Sequence, residues 1–146
     1  MEFRFLKEEH FDRLAELSKV FSEEGCCNNI VADSSEHFAG KKVLGCIVDD
    51  EIVGYLYGSI EVENKSRSYA EPGDCYFELE EIYVLPEYRN QGVGRRLIGF
   101  IEGYVRACGC KSIRLNAVSK DYKRLLNFYV DIVGMDVISA YLVKQI

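Results

Sequence analysis

The spacing of apolar residues along this chain switches between a period of two and a period of three to four, which predicts alternating strands and helices. Residues 3–6 predict a short strand. Residues 8–25 predict a helix, because their apolar positions share one helical face and the run ends at Gly25. Residues 34–41 predict a second, short helix opened by a serine cap.

Two strand-forming runs joined by Asp49 and Asp50 follow. Residues 42–62 are therefore expected to form a β-hairpin with a tight turn at this pair. Residues 63–74 are polar and include a Pro-Gly pair, so they predict a loop between the hairpin and the next strand.

A long strand over residues 75–86 opens the second half of the chain. Strict two-residue alternation predicts two faces for it. One face would carry Glu78, Glu80, Ile82 and Val84, and the other would carry Phe77, Leu79, Glu81 and Tyr83.

The remaining segments alternate again. Residues 93–109 follow helical spacing, and residues 111–118 predict a strand. Residues 119–133 predict a helix capped by Ser119 or Asp121. Its expected inward positions are Tyr122, Leu125, Leu126, Tyr129, Ile132 and Val133. Residues 135–146 predict one closing strand or two. The whole order predicts a mixed α/β domain whose sheet is covered by helices on both faces.

Composition narrows the class of protein. The 146 residues are 48% hydrophobic and 29% charged, as in globular domains, and no apolar run approaches the ~20 residues of a membrane span. The first residues are charged, which is unlike a secretory signal, so we expect a cytoplasmic protein with no membrane partner. The net charge of -6 argues against a nucleic-acid partner and favours cationic small molecules or basic protein tails.

The cysteines do not follow a metal-binding or disulfide spacing. They occur as a vicinal pair, as a pair with a one-residue gap, and singly, with no Cys-x-x-Cys unit. We therefore expect no metal and expect structural thiols at Cys26, Cys27, Cys46, Cys75, Cys108 and Cys110.

Residues 89–96, Arg-Asn-Gln-Gly-Val-Gly-Arg-Arg, stand where the long strand passes into a helix. The first turn of a helix leaves backbone amides unpaired, and glycines allow an anion to approach them. Flanking arginines add positive charge. These features suit a phosphate or pyrophosphate, although the same residues also fit a plain strand-to-helix turn with solvated arginines.

The motif R-x-x-G-x-G after the strand I-Y-V-L-P-E-Y-R resembles the acetyl-coenzyme A motif of the GNAT superfamily, the Gcn5-related N-acetyltransferases. The stretch F-Y-V-D-I-V-G-M is similar to a second stretch of the family. The resemblance implies one N-acetyltransferase domain over residues 1–146. It also implies a mostly antiparallel sheet of six to seven strands, splayed at the strand that binds acetyl-CoA.

The resemblance further implies how acetyl-CoA binds as cosubstrate. The loop that would cradle its pyrophosphate with backbone amides consists of Arg89, Asn90, Gln91, Gly92, Val93, Gly94 and Arg95. The strand residues Ile82, Tyr83 and Val84 would lie beside the pantetheine arm. The amide of Val84 or of its neighbour would stabilise the oxyanion.

Three carboxylates on the long strand are candidate bases. By the family resemblance, Glu78 holds the place of the base in histone-type members and Glu80 the place of a carboxylate in some aminoglycoside-type members. Glu81 is the third candidate. The alternative is that all three are solvated strand residues.

Tyr129 matches a tyrosine that family members place near the coenzyme A sulfur, where a phenol could protonate the leaving thiolate. The alternative is a core aromatic residue. Where the family commonly has an asparagine that touches the cofactor, this chain has Tyr122, and Asn127 and Asn116 are possible substitutes.

The resemblance implies an acetyl-CoA-dependent N-acetyltransferase acting by direct transfer in a ternary complex, since no cysteine lies where an acetyl-enzyme is expected. A small-molecule amine is favoured slightly over a protein lysine or amino terminus as acceptor. A non-catalytic coenzyme A-binding sensor and a non-catalytic interaction domain are the alternatives from other classes. A homodimer through edge strands is also possible.

Overall fold

A computed structural model describes residues 1–146 and contains one five-stranded sheet. Its strands are β1 (Glu2–Phe5), β2 (Lys42–Val48), β3 (Glu51–Val62), β4 (Cys75–Val84) and β5 (Ser112–Arg114). They lie side by side in chain order. The first four strands pair antiparallel, and β5 pairs parallel to β4. The mixed α/β fold is thereby confirmed.

The helices lie on both faces of this sheet. They are α1 (Phe11–Glu23), α2 (Val93–Ala107) and α3 (Tyr122–Leu126), the last continued by a π-helical turn at Asn127–Ile132. Single 3₁₀ turns occur at Glu8–His10, Ser35–Phe38 and Pro86–Tyr88. The helix predicted for residues 8–25 is thus split into a 3₁₀ turn and α1, and the one predicted for residues 34–41 is a 3₁₀ turn.

Each face of the sheet has its own hydrophobic core. The α2-side core contains Leu44, Val53, Leu56, Phe77, Leu79, Val93, Leu97 and Ile101 among its buried residues. The α1-side core contains Leu14, Leu17, Phe38, Tyr55, Tyr57 and Tyr83. The α1 side is the more aromatic and carries hydroxyl groups, so it can hold polar side chains inside the fold.

The hairpin of β2 and β3 confirms the predicted tight turn. Asp49 and Asp50 have φ angles of 48° and 63°, which match the left-handed turns that fit the twist of a hairpin. Short polar side chains tolerate this conformation better than most others.

The expectation of six to seven strands is wrong. Only residues 112–114 of the predicted strand 111–118 pair with β4. Residues 135–146 form no strand, and Tyr141 and Leu142 are 94% and 89% exposed. A strand needs a partner backbone to satisfy its amides and carbonyls, and this segment lies against none.

The helix predicted over residues 119–133 is shorter in the structure, and some of the side chains expected to face the sheet do not. Asp121 caps it, since its carboxylate accepts a hydrogen bond from the Arg124 amide at 3.1 Å. Tyr122, Leu126 and Ile132 are exposed, contrary to expectation. The π-helical turn uses more residues per turn and changes which residues face the sheet. Phe128, which is not an expected inward position, packs against the α2-side core, and Val133 packs there as expected.

A β-bulge at Glu80 overturns the predicted two faces of β4. Tyr57 pairs with Glu81 and the adjacent Gly58 pairs with Leu79, so Glu80 is an extra residue in β4. The alternation therefore reverses after Glu80. Ile82 and Val84 pack with Phe77 and Leu79 on the α2 side, and Glu81 lies on the α1 side with Tyr83.

The expectation that all six cysteines are thiols is also wrong. Cys75 and Cys110 form a disulfide, 35 residues apart in the chain. Parallel pairing brings them together, since Cys75 begins β4 and Cys110 lies two residues before the start of β5. The other four cysteines are free.

None of the helices combines the length and apolarity needed to cross a bilayer.

Gly58 lies beside the bulge, and a substitution at Gly58 tests how tightly the bulge is packed. A Cβ on Gly58 would collide with the Glu78 carbonyl oxygen and lie 2.7 Å from the Phe77 ring. We expect Gly58→Ala to lower the free energy of unfolding by about 3 kcal/mol, measured by urea denaturation. Gly103→Ala, on α2 where no atom lies within 4 Å, is the control and should raise it by about 0.5–1 kcal/mol. Equal effects would contradict this description of the bulge.

Candidate active site

Strands β4 and β5 diverge and open a cleft. They pair only at Tyr76–Glu78 with Ser112–Arg114, and beyond Glu78 the edge of β4 has no strand beside it. The expected splay of the sheet at this strand is therefore present. An open strand edge offers main-chain donors and acceptors to a ligand in extended conformation.

The hydrogen bonds of β4 identify which backbone groups face the cleft. The Leu85 amide donates to the Val53 carbonyl at 2.9 Å, so the backbone of Leu85 faces β3. Because successive residues of a strand alternate, the amides and carbonyls of Ile82 and Val84 face the opposite side, toward the cleft. The Val84 carbonyl accepts a hydrogen bond from Arg89 Nε at 2.7 Å, which leaves the Val84 amide as a donor.

The loop between β4 and α2 presents a row of free amides. Those of residues 90–95 donate no hydrogen bond within the protein, and the first helical bond joins the Arg96 amide to the Gly92 carbonyl at 3.0 Å. Asn90 and Gly92 have positive φ angles of 59° and 78°. These amides and the positive end of the helix dipole make the start of α2 suited to an anion.

The flanking residues of the loop have different surroundings. Arg96 stacks over the Phe3 ring at 4.3 Å, whereas Arg95 is exposed and has no ion-pair partner. Gly94 packs against Phe128, since a Cβ there would lie 3.1 Å from the Phe128 ring. The loop therefore leaves Arg95 as the cation available beside the free amides.

Arg89 lies apart from the row of amides. Its own amide donates to the Pro86 carbonyl at 3.2 Å. Its guanidinium donates to both carboxylate oxygens of Glu24 at 2.7 and 2.8 Å, and to the Val84 carbonyl. The Arg89 guanidinium is thus committed to the protein, and the Arg89 backbone amide is paired, unlike the amides of residues 90–95.

Glu80 is held by two cationic or titratable neighbours. Its carboxylate accepts hydrogen bonds from Lys41 and, at 3.1 Å, contacts His37 Nε2. His37 Nε2 also lies 3.7 Å from a carboxylate oxygen of Asp33. The bulge therefore directs Glu80 to the α1 side, where it belongs to an ionic cluster.

Glu78 is the candidate carboxylate without a partner. It is half-buried beside the last paired residue of β5, and its side chain makes no hydrogen bond or ion pair. Burial raises the pKa of Glu78, the Arg114 guanidinium lowers it, and the carboxylates of Glu80 and Glu61 raise it. A carboxylate of raised pKa without a fixed partner is suited to accept a proton.

Of the three carboxyls, Glu81 has the most strongly shifted pKa. It is partly buried beside the aromatic residues of the α1-side core and accepts a hydrogen bond from the Tyr55 hydroxyl. The pKa of Glu81 is raised to about 7, mainly by burial; the Tyr55 hydrogen bond opposes this rise and the Asp33 carboxylate contributes to it. The reversal at the bulge brings Glu81 to the same side as Glu80, which strict alternation does not predict.

Tyr129 is half-buried in the π-helical turn. Its ring lies edge-on to Phe128 with centroids 4.9 Å apart, and its hydroxyl has no hydrogen-bond partner in the protein. Burial raises the pKa of Tyr129 to about 12, with a smaller contribution from Cys27. The hydroxyl therefore stays protonated near neutral pH and is free to donate.

Asn116 and Asn127, the candidates for the cofactor contact, make no side-chain hydrogen bond within the protein. Asn116, Asn127 and Tyr122 are all exposed. Arg124 connects the segment to the loop instead, since its Nη2 lies 3.4 Å from the Asn90 side-chain oxygen.

Residues 24–34, between α1 and the next 3₁₀ turn, approach the same cleft. The backbones of Cys27 and Ser119 form an isolated antiparallel β-bridge, and the Asn28 amide donates to the Val118 carbonyl at 2.9 Å. Farther along, the Asp33 carboxylate accepts a hydrogen bond from the Tyr57 hydroxyl. Sequence reasoning missed Glu24 and Asp33, because nothing in the local pattern shows which distant residues they meet.

Comparisons with known proteins agree with this geometry. The sequence profile of the acetyltransferase (GNAT) family matches residues 6–135. The chain is 39% identical over 62 residues to thialysine N-epsilon-acetyltransferase of Bos taurus, covering 42% of this chain and 36% of that protein. It is 28% identical over 82 residues to aminoglycoside N(6')-acetyltransferase type 1 of Stenotrophomonas maltophilia, covering 56% and 52%. The matches thus span about a third to a half of these relatives.

Solved structures share the fold over nearly the whole chain. A ribosomal-protein-alanine N-acetyltransferase of Brucella melitensis biovar Abortus 2308 superimposes with a TM-score of 0.72 at 19% identity, covering 99% of this chain and all of that one. An aminoglycoside N-acetyltransferase in complex with CoA gives 0.70 at 18% identity, covering 99% and 98%.

The open edge of β4, the glycine loop and these matches define an acyltransferase-type α/β fold. The chain belongs to the acetyltransferase (GNAT) family, and the resemblance seen in its sequence is confirmed.

Glu81 predicts a pH-dependent stability. A carboxyl with a pKa of about 7 in the folded state and 4.5 as its ordinary value binds its proton more tightly when folded. The stabilisation is therefore complete below pH ~4.5 and is lost as the pH rises to ~7. We expect the free energy of unfolding of the parent, relative to Glu81→Gln, to fall by about 2–3 kcal/mol between pH 5 and 8.

Urea denaturation at several pH values measures this difference. Glu87→Gln, at an exposed carboxylate without a hydrogen-bond partner, is the matched control. A parent and a Glu81→Gln variant with parallel pH curves would show that Glu81 is ionised in the fold.

Proposed function

We propose that the chain is an acetyl-CoA-dependent N-acetyltransferase that transfers an acetyl group directly to a primary amine in a ternary complex. One observation carries the proposal: the free amides of residues 90–95 lie at the start of α2, next to the open edge of β4. A pyrophosphate fits the first, and an extended pantetheine arm fits the second. When bound, acetyl-CoA supplies the activated acetyl thioester.

Different residues of the cleft would bind different parts of acetyl-CoA. The amides of residues 90–95 and the guanidinium of Arg95 would hold the pyrophosphate. Ile82 and Val84 would hydrogen-bond the extended arm through their backbone groups, with Tyr83 holding the strand between them in the α1-side core. The Val84 amide would stabilise the oxyanion that forms at the thioester carbon.

Deprotonation of the acceptor amine falls to the acids of β4. A lysine-like amine of ordinary pKa ~10.4 costs about 4–5 kcal/mol to deprotonate at pH 7, so a base is needed. Glu78 is the better candidate, because Glu80 is held by Lys41 and His37. The Tyr129 hydroxyl, protonated and without a partner, would donate a proton to the leaving thiolate.

The acceptor that we propose is a cationic small-molecule amine. Two curated relatives are named for such acceptors, thialysine and aminoglycosides. The α1 side of the cleft carries the carboxylates of Asp33 and Glu80, with Glu78 near Glu80, and these would attract a second cationic group of the acceptor.

Other acceptors and assemblies remain outcomes of the tests. A peptide amino terminus or lysine is the alternative acceptor, in keeping with the structural neighbour named for ribosomal-protein alanine. A homodimer would have an unpaired β5 edge and the exposed apolar residues of the C-terminal segment available for contact.

The loop conformation is the direct test of cofactor binding. Gly92 has a φ of 78°, which a β-branched residue cannot adopt without strain. We expect Gly92→Val to abolish acetyl-CoA binding in calorimetry while circular dichroism shows a folded protein. Gly99→Val, on the exposed side of α2, is the control and should bind like the parent. Unchanged affinity in Gly92→Val would overturn the pyrophosphate site.

The choice of base is tested by carboxamide variants. We expect Glu78→Gln to reduce the acetyl-transfer rate at pH 7 by roughly 10²–10³-fold, with partial recovery at high pH as the amine ionises unaided. Glu80→Gln should cost much less. The reverse order would assign the base to Glu80, and a protein that binds acetyl-CoA but acetylates no amine in a panel would be a sensor.

A further inference from the structure

One ion pair connects the end of α1 to the end of β4. Arg89 Nη2 donates to Glu24 Oε1 at 2.7 Å and to Glu24 Oε2 at 2.8 Å. The Tyr83 hydroxyl donates to Glu24 Oε1 at 2.5 Å. The side chains of Arg89 and Glu24 are 28% and 19% exposed, so both charges are largely removed from water and have little freedom to find other partners.

The other end of Arg89 holds a single peptide group. Arg89 Nε donates to the Val84 carbonyl at 2.7 Å, and the amide of that same peptide, on Leu85, donates to the Val53 carbonyl at 2.9 Å. The peptide between Val84 and Leu85 is thus held from both sides. It cannot rotate without breaking a charge-assisted hydrogen bond.

This peptide lies next to the proposed oxyanion donor. The Val84 amide faces the cleft on the same side of β4 as the Val84 carbonyl. Fixing the carbonyl therefore restrains the direction of the neighbouring amide, and the hydrogen bond from Arg89 pairs the carbonyl oxygen that would otherwise repel an oxyanion. A preorganised donor lowers the cost of forming an oxyanion.

We propose that Glu24 is a positioning residue for acetyl transfer: it holds Arg89, and Arg89 fixes the Val84 backbone in the cleft. The inference rests on the proposed function. It assigns Arg89 to the acyl end of the cleft rather than to the pyrophosphate. It also gives a role to a residue outside the family motif that the sequence resembles.

The segment that follows Glu24 is bonded to the segment that follows β5. Glu24 directly precedes Gly25, whose carbonyl accepts a hydrogen bond from Lys120 Nζ at 2.9 Å. The Cys26 carbonyl accepts from the Lys120 amide, also at 2.9 Å.

The test compares Glu24→Gln, Arg89→Ala and the double variant. We expect each single variant to lower kcat about 10-fold, because the donor remains but loses its fixed direction. The double variant should be no slower than Arg89→Ala, since Glu24 acts through Arg89. Binding of 3′-phosphoadenosine 5′-diphosphate, which carries the pyrophosphate but no acyl arm, should stay within twofold of the parent in all three.

Two controls separate positioning from stability. Arg89→Lys keeps the charge but loses the two-sided geometry of the guanidinium, and it should reproduce the loss in kcat if Glu24→Gln does not fold. Glu16→Gln removes a carboxylate from an exposed pair with Arg13, 2.8 Å apart, and should leave kcat unchanged.

Two results would overturn the inference. Additive losses in the double variant would show that Glu24 and Arg89 act separately. Weaker binding of the diphosphate probe in Arg89→Ala would make Arg89 a pyrophosphate ligand. Failure of the parent to bind the probe would instead contradict the proposed function itself.

Discussion

The site depends on the β-bulge in β4, where Glu80 is an extra residue. Without it, Ile82 and Val84 would turn away from the α2-side core, and Glu81 would turn into that core as a carboxylate among aliphatic side chains. With it, apolar residues lie under α2 on both sides of the bulge, and Glu80 and Glu81 collect on the α1 side. A single change of register thus keeps one core dry and makes the other side acidic.

The two sides of the sheet meet at the end of β4. Tyr83 belongs to the α1-side core and donates to Glu24, whereas its neighbour Val84 packs against the α2-side core and faces the cleft with its backbone. Arg89 crosses between the two sides. The loop before α2 and the segment that follows α1 are therefore parts of one hydrogen-bonded unit, although more than sixty residues separate Glu24 from Arg89 in the chain.

Local rules predicted the features that depend on local chemistry. The Asp49–Asp50 turn, the cap at Asp121 and the glycine loop before α2 follow from the conformations that those residues favour. The bulge at Glu80, the disulfide and the Glu24–Arg89 pair depend on which strands meet, which periodicity does not reveal. The strand predicted over residues 135–146 is absent for a related reason. Its residues are strand-forming, but strand propensity without a partner backbone does not make a strand.

The disulfide between Cys75 and Cys110 has a mechanical consequence for the cleft. It joins β4 and β5 where they run together, at the end opposite to their divergence. The two strands consequently cannot slide along each other or part at that end. Any widening needed to admit a ligand is an angular motion about the crosslinked end, so its amplitude is largest beside Val84 and smallest beside Glu78.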